Sequence, residues 1–300
     1  MNFEDDQRLS PDVSDPAGAQ PGSSEPSPFG VSAPSAIEPS PQAAAHVPED
    51  LRVPWSWLDL LVFVIIAFLA TIVIGVVVFT GFLACGVTLS QLRASASKQG
   101  LFAIINQVLL FLGLIAYLAA YLRLRFGARF WRTIGWQPLE TGRMPAAITY
   151  LGYTAAGFFL AATVQIVSAV AGTKAKLPIE RLFEDRLTAL LILLMSVLMA
   201  PLVEETIFRG FIYPVVARRF GRSVGIVATG TVFGLLHASQ LWGGWTQIAL
   251  LVFVGIVLTY ARAVKGTVVA SFLIHLSYNF FVSLAFVIAS HGLKVIPPGS

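Results

Sequence analysis

Three ionisable residues, Glu204, Glu205 and Arg209, stand inside an otherwise apolar run between Pro201 and Pro214. A charged side chain inside a membrane helix costs on the order of 3 kcal/mol, and such residues commonly mark a site or a pathway. Positions four apart share one face of a helix, whereas adjacent positions diverge by about 100°. We therefore expect Glu205 and Arg209 to form an ion pair and Glu204 to point elsewhere. A desolvated carboxylate without a partner on its own helix is suited to proton transfer.

Polar partners for Glu204 occur in two later apolar runs. His237 ends the run Phe233-Gly-Leu-Leu-His, and His275 and Asn279 lie four residues apart in a further run. That spacing places His275 and Asn279 on one face of a helix. A single His or Asn in such a helix is typical of packing or of a bond between helices. The combination of a carboxylate pair, two His and one Asn instead indicates a shared polar site.

Close approach of two helices is predicted beside this site. Gly230 and Gly234 form a pair of small residues four apart, a spacing that lets helix backbones come together.

A purely structural role for the charged residues remains an alternative. Both acids of the Glu204-Glu205 pair would then belong to one buried ion network that fixes helix packing.

Composition indicates a membrane protein. The 300 residues are 56% hydrophobic and 12% charged, with a mean hydropathy of +0.77, whereas soluble chains carry about a quarter charged residues. The single cysteine, Cys85, excludes an intramolecular disulfide and a cysteine-based metal site. Nine of the 16 acids lie in the first 50 residues, and 19 of the 20 Lys and Arg follow them. These basic residues fall between apolar runs, which favours contact with an anionic membrane leaflet over nucleic-acid binding.

We predict an all-α membrane helix bundle behind a disordered tail. Residues 1–50 are rich in Pro, Ser and Ala and are predicted to be this tail. Residues 51–186 would form the first membrane helices, 187–290 the catalytic helical core and 291–300 a short C-terminal tail. Apolar runs of roughly 20 residues can cross the bilayer. Seven such spans are predicted: Trp57 to Ala84, Leu101 to Leu122, Pro145 to Ala171, Leu187 to Ala217, Ser223 to Ser239, Trp245 to Val264 and Thr267 to Ser290.

The distribution of basic residues predicts the orientation of these spans. Twelve Lys and Arg fall on the N-terminal side and seven on the opposite side. The positive-inside rule then places the N-terminus in the cytoplasm, and we expect a multi-pass protein of the cell membrane. Between the second and third spans, Phe126 to Trp136 mixes arginine with aromatic residues and is predicted to lie along the membrane surface.

The ordered set of polar residues resembles a known family. Three motifs, on the fourth, fifth and seventh predicted spans, are similar to those of the CAAX protease and bacteriocin-processing family, also called the Abi family, which includes the type II CAAX prenyl endopeptidases. The resemblance covers roughly residues 187 to 285. The motifs are Glu204-Glu205-x-x-x-Arg209, Phe233-x-x-x-His237 and His275-x-x-x-Asn279.

The resemblance implies an intramembrane glutamic endopeptidase that acts on a membrane-associated or lipidated peptide. Glu204 would be the general base that, with His237, activates a water molecule, and His275 and Asn279 would donate hydrogen bonds to the oxyanion. A supporting role in holding this geometry falls to the remaining motif residues, Glu205, Arg209 and Phe233. The resemblance implies no cofactor and no Ser or Cys nucleophile.

Two other functions stay open from the sequence. Glu204, His237 and His275 would be the ligands of a zinc-dependent protease with a water in the fourth position. Against it, the H-E-x-x-H spacing of metalloproteases is absent from the sequence. A non-enzymatic scaffold or a transporter would also place polar residues between helices. No inverted repeat is visible to support a transporter.

Overall fold

The computed structural model describes residues 48–127, 129–172 and 177–294, and throughout these ranges the regular structure is helical. This confirms the predicted all-α class. The predicted tail falls mostly outside the described residues, in positions 1–47. The helices are α1 (Trp57–Ala84), α2 (Leu89–Ala94), α3 (Ala96–Phe126), α4 (Phe130–Thr133), α5 (Ala146–Ala171), α6 (Arg186–Leu198), α7 (Ala200–Glu205), α8 (Tyr213–Phe220), α9 (Arg222–Leu236), α10 (Trp245–Lys265) and α11 (Val268–Ala289), and a π segment, Thr206–Ile212, joins α7 to α8.

Six helical stretches within the described ranges are long and apolar enough to cross a membrane. They are α1, α3, α5, the continuous stretch Arg186–Phe220, α10 and α11. The chain is therefore an integral multi-pass membrane protein. The predicted span Ser223 to Ser239 corresponds to α9, which has only 15 residues. At 1.5 Å per residue α9 is about 22 Å long, shorter than the hydrocarbon thickness of about 30 Å.

The stretch Arg186–Phe220 is interrupted by two prolines. Pro201 follows the break between α6 and α7, and Pro214 follows the π segment. Proline has no N–H to donate within a helix, so the regular bonding pattern cannot continue through it. The Tyr213 N–H instead bonds the Phe208 carbonyl five residues back, and the indole N–H of Trp55 donates to the carbonyl of Phe211 at 2.9 Å. π turns of this kind occur frequently at functional sites.

Several helix ends are fixed by side chains or by glycine. The Asp185 carboxylate accepts bonds from the backbone N–H and the hydroxyl of Thr188, at 2.8 and 2.7 Å, and so caps α6. These two bonds hold the pKa of the Asp185 carboxyl below its usual range. Gly127, Gly172 and Gly266 end α3, α5 and α10 in the left-handed conformation that glycine adopts readily.

The segment before α1 is packed against the ends of later helices. Residues 48–50 belong to the predicted tail, yet Asp50 is only 13% exposed and pairs with Arg222 at 2.8 Å and with Arg262 at 3.4 Å. Arg218 donates to the carbonyls of Val53 and Trp55. The packed part of the chain therefore includes residues 48–50, because these arginines bind the segment.

The antiparallel helices α9 and α10 touch through glycine. A Cβ built on Gly230 would lie 2.5 Å from the backbone nitrogen of Ile256, and one on Gly234 would lie 2.6 Å from that of Val252. The predicted close contact is confirmed. Continuing this register places His237, at the end of α9, about one helical turn inside the start of α10.

Replacing Gly230 by alanine is expected to destabilise the bundle by about 2 kcal/mol, because the added methyl group meets backbone atoms that cannot move aside. The measurement is the free energy of unfolding in detergent. Gly113→Ala in α3 is the matched control, because no atom lies within 4 Å of its built Cβ. Equal losses in the two variants would contradict this packing argument.

Candidate active site

A fully buried ion pair lies at the junction of α7 and the π segment. Arg209 and Glu205 are both 0% exposed, and the Arg209 Nη1 lies 2.9 Å from the Glu205 Oε1. The predicted pairing is thus confirmed. The other guanidinium nitrogens donate to the Gly255 carbonyl at 2.9 Å and to the Thr259 hydroxyl at 3.2 Å, both on α10. Arg209 therefore links the helix of the two carboxylates to α10.

The second buried contact of Glu205 orients His275. The His275 Nδ1 lies 2.8 Å from the Glu205 Oε1. An ionised carboxylate only accepts hydrogen bonds, so the Nδ1 of His275 carries the hydrogen. The Nε2 of the same ring then lies 3.7 Å from the Oε2 of Glu204.

His237 faces Glu204 in a similar way from α9. Its Nδ1 lies 3.0 Å from the Phe233 carbonyl oxygen, which only accepts, so this Nδ1 also carries a hydrogen. The Nε2 of His237 lies 4.0 Å from the Oε1 of Glu204. The structure thus brings Glu204, His237 and His275 together, each from a different helix. Glu204 has its neighbours on α9 and α11 rather than on its own helix, as the spacing predicts.

Phe233 forms the apolar floor of this cluster. It is 1% exposed, and its ring centre lies 4.5 Å from the guanidinium carbon of Arg209. The same ring lies 5.2 Å from the ring of His237 and 5.8 Å from that of His275, between centroids. Phe233 therefore contacts the charged pair and both imidazoles and fills space that water would otherwise occupy.

Asn279 is held against α6. Its side-chain amide nitrogen donates to the Ser196 carbonyl at 2.7 Å. The residue lies one helical turn beyond His275 on α11, on the same face. A primary amide has two N–H groups, so one donor of Asn279 remains beyond the bond to Ser196.

Exposure is graded across the site. The side chains of His237 and Glu204 are 26% and 15% exposed, whereas those of His275, Glu205 and Arg209 are between 4% and 0% exposed. The open side of the cluster is therefore the side of Glu204 and His237, while the groups that orient the cluster are enclosed between the helices.

The cluster does not have the convergence of a metal centre. Ligand atoms around a tetrahedral zinc ion at 2.0–2.2 Å lie about 3.3–3.6 Å apart. The carboxylate of Glu204 is 3.7 and 4.0 Å from the two Nε2 atoms. Among the residues that the structure describes, no group of three or more His, Cys, Asp or Glu is placed to hold a metal ion. As the side chains stand, the Glu204 carboxylate lies slightly too far from both Nε2 atoms for Glu204, His237 and His275 to bind one zinc ion, and the zinc-dependent alternative stays a prediction.

Fold and site together define a multi-pass membrane protein with a buried polar cluster, the class in which intramembrane peptidases are found. Within this class, residues 186–281 match the family model described as "Type II CAAX prenyl endopeptidase Rce1-like". The match spans about a third of the chain and contains every motif residue, which confirms the predicted resemblance to this family. It supports an endopeptidase of the CAAX protease type. Searches of curated proteins and of solved structures gave no match.

Some residues that shape the site carry no sequence signal. Gly255 and Thr259 accept from Arg209, and Ser196 accepts from Asn279, yet each is a small residue in an apolar helix. Two of these acceptors are backbone carbonyls, which every residue has. Only the three-dimensional arrangement identifies them.

Proposed function

We propose that this protein is an intramembrane endopeptidase in which Glu204 and His237 activate a water molecule for attack on a peptide bond. The observation that carries the proposal is the arrangement of two imidazole Nε2 atoms around one partly exposed carboxylate, at 3.7 and 4.0 Å. Gaps of this size are too long for direct hydrogen bonds and suit a bridging water.

The water is held by two acceptors. With its hydrogen on Nδ1, neutral His237 presents a lone pair at Nε2, and the Glu204 carboxylate also accepts. Water therefore gives one hydrogen bond to each and keeps a lone pair for the scissile carbonyl carbon. As the new C–O bond forms, the proton passes to Glu204. When the C–N bond breaks, the same proton moves to the leaving amine, which restores the carboxylate.

The oxyanion is stabilised by His275 and Asn279. Because the Nδ1 of His275 already donates to Glu205, its Nε2 donates to an oxyanion only when the ring is an imidazolium. Glu205 balances this positive charge, and Arg209 in turn holds Glu205 in place. Asn279 contributes the amide N–H that is not bound to Ser196. Donors fixed in this way in a dry site contribute a few kcal/mol each.

Charge neutrality favours this assignment within a membrane. Two carboxylates, Glu204 and Glu205, are balanced by the Arg209 guanidinium and the His275 imidazolium. An uncompensated charge in a low-dielectric interior is costly, whereas a neutral, hydrogen-bonded cluster is tolerated. The attack transfers charge from Glu204 to the oxyanion and leaves the total unchanged.

The position of the site supports a membrane-associated substrate. Glu204 lies near the middle of the stretch Arg186–Phe220, which is one of the candidate membrane spans. A substrate must therefore approach the cluster at the depth of the membrane. A lipid-bearing or membrane-associated peptide is delivered to that depth by its own anchor. The description of the matched family model names a prenyl endopeptidase, and a prenylated C-terminal peptide is accordingly the first substrate to test.

The experiment uses the full chain in lipid nanodiscs. The substrate is a quenched fluorescent peptide in which three residues follow an S-prenylated cysteine at the C-terminal end. We expect cleavage of this peptide and at least about tenfold slower cleavage of the unprenylated peptide at equal concentration, because the anchor concentrates the substrate in the bilayer. Equal rates for the two peptides would contradict a role for the lipid. Absence of cleavage of either would contradict the substrate class.

Removal of metal tests the proposed mechanism against its zinc-dependent alternative. The alternative has one observation in its favour, because both imidazoles hold their Nδ1 on an acceptor, as histidine ligands of zinc commonly do. We expect cleavage to be unchanged, within about twofold, after treatment with a chelator and gel filtration. Loss of activity that added zinc restores would replace the metal-free mechanism by the zinc-dependent one.

A further inference from the structure

A short connector between α4 and α5 touches both halves of the proposed active site. This connector, Ile134 to Gln137, overlaps the end of the segment Phe126 to Trp136 that is predicted to lie along the membrane surface, and it is outside the residues matched to the family. Trp131 in α4 is 48% exposed, as a surface segment requires, but Ile134 is 1% exposed. The chain therefore turns from the surface into the protein at this point, and Gly135 makes the turn with a φ of +96°.

On one side the connector contacts the π segment. The indole N–H of Trp136 donates to the hydroxyl oxygen of Thr206 at 2.9 Å, and Thr206 directly follows Glu205. One helical turn later, a Cβ built on Gly210 would lie 2.8 Å from the carbonyl oxygen of Ile134. Thr206 is 0% exposed, so the bond from Trp136 reaches into the protein interior.

On the other side the connector contacts the start of α11. The N–H of Val268 donates to the Gly135 carbonyl at 2.9 Å, and the Thr267 hydroxyl lies 2.5 Å from the Gln137 carbonyl. The ring of Trp136 packs edge to face on Phe272, with centroids 5.0 Å apart. Phe272 lies three residues, about one turn, before His275.

We propose that Trp136 is a positioning residue for the peptidase reaction, because it fixes the π segment and α11 at the separation that the Glu205–His275 contact requires. This inference rests on the proposed function. Trp136 touches no reacting group. It acts through Thr206, next to Glu205, and through Phe272, one turn from His275. A shift of about 1 Å between the two helices would lengthen the 2.8 Å contact and turn the imidazole away from Glu204, and misplacement of this size can cost up to about a hundredfold in rate.

The test replaces the donor and the acceptor of the tryptophan bond separately and together. Trp136→Phe keeps an aromatic ring and removes the N–H, and Thr206→Val removes the hydroxyl at nearly constant shape. We expect each to lower kcat about tenfold with KM within about twofold, and the double variant to be no slower than the slower single variant. Thr206→Ser, which restores the hydroxyl, should recover most of kcat. Trp245→Phe, at an exposed tryptophan of α10, is the matched control and should leave kcat unchanged.

Hydrogen exchange supplies a readout that needs no substrate. We expect Trp136→Phe, but not Trp245→Phe, to speed amide exchange in residues 206–212 and 268–275 while global unfolding in detergent is unchanged. Unchanged exchange in both segments, additive losses in the double variant, or a kcat loss that only follows a loss of folded protein would overturn the positioning role. If the wild-type chain cleaves no peptide, the proposed function fails, and the exchange measurement still decides whether Trp136 holds the two segments.

Discussion

Replacing Glu204 by glutamine is expected to lower kcat for peptide cleavage by about 10³-fold or more, because the amide cannot take the proton from the attacking water. The substitution keeps the size and shape of the side chain. Glu204 is partly exposed and lies beyond hydrogen-bond distance of both Nε2 atoms, so no buried partner loses its bond. We expect the free energy of unfolding to change by less than about 1 kcal/mol. The measurements are steady-state cleavage and chemical unfolding of the same purified protein.

Glu140→Gln is the matched control for this variant. Glu140 is an exposed carboxylate in the loop before α5, so its replacement removes the same charge far from the cluster. It should cleave at the wild-type rate. A Glu204→Gln protein that retains more than about a tenth of wild-type kcat would contradict the role of Glu204 as general base. An equal loss of stability in Glu204→Gln and in Arg209→Ala would favour the interpretation that both acids belong to a buried ion network that fixes helix packing.

Replacing Arg209 by alanine is expected to damage both folding and activity. The substitution leaves the fully buried Glu205 carboxylate without its ion pair and deprives the Gly255 carbonyl and the Thr259 hydroxyl of a donor. Breaking a buried pair from one side costs about 3–5 kcal/mol. We expect a loss of unfolding free energy in that range. Cleavage should fall further than the amount of folded protein, because Glu205 without Arg209 no longer keeps His275 in position.

The double variant Glu205→Gln with Arg209→Met separates these two effects. It removes both charges together, so no buried charge is left unpaired, and we expect it to be more stable than Arg209→Ala. Its cleavage should stay low, because a neutral amide does not balance the charge of a His275 imidazolium. Restored stability together with wild-type cleavage would contradict the supporting role of Glu205.

The motif residues could be found from sequence because their signals are local. The spacing of Glu205 and Arg209 predicts an ion pair whether the turn between them is an α turn or the wider π turn that the structure contains. The spacing of Gly230 and Gly234 likewise predicts the contact with α10. Helix packing decides which side chains face Glu204. The combination of residue types in the motifs predicts these neighbours, but it does not give their distances from Glu204.

Other features depend on contacts distant in sequence. Trp136 and Thr206 are separated by 70 positions, and nothing in either local sequence marks the bond between them. The break at Pro201 and the π segment before Pro214 alter a stretch that reads as one continuous apolar run. The predicted span Ser223 to Ser239 is the shortest of the seven, and the structure ends the corresponding helix, α9, at Leu236, just before His237.

Mass spectrometry of the peptide products tests the central claim most directly. Metal-depleted wild-type protein and the Glu204→Gln variant, each in nanodiscs, are incubated with the prenylated peptide, and the new C-terminus is identified. We predict a single cut in the wild-type reaction, at the peptide bond after the prenylated cysteine, and no product from Glu204→Gln within the same time. Equal product from both proteins, or none from the metal-depleted wild type, would contradict a metal-free peptidase whose water is activated by Glu204.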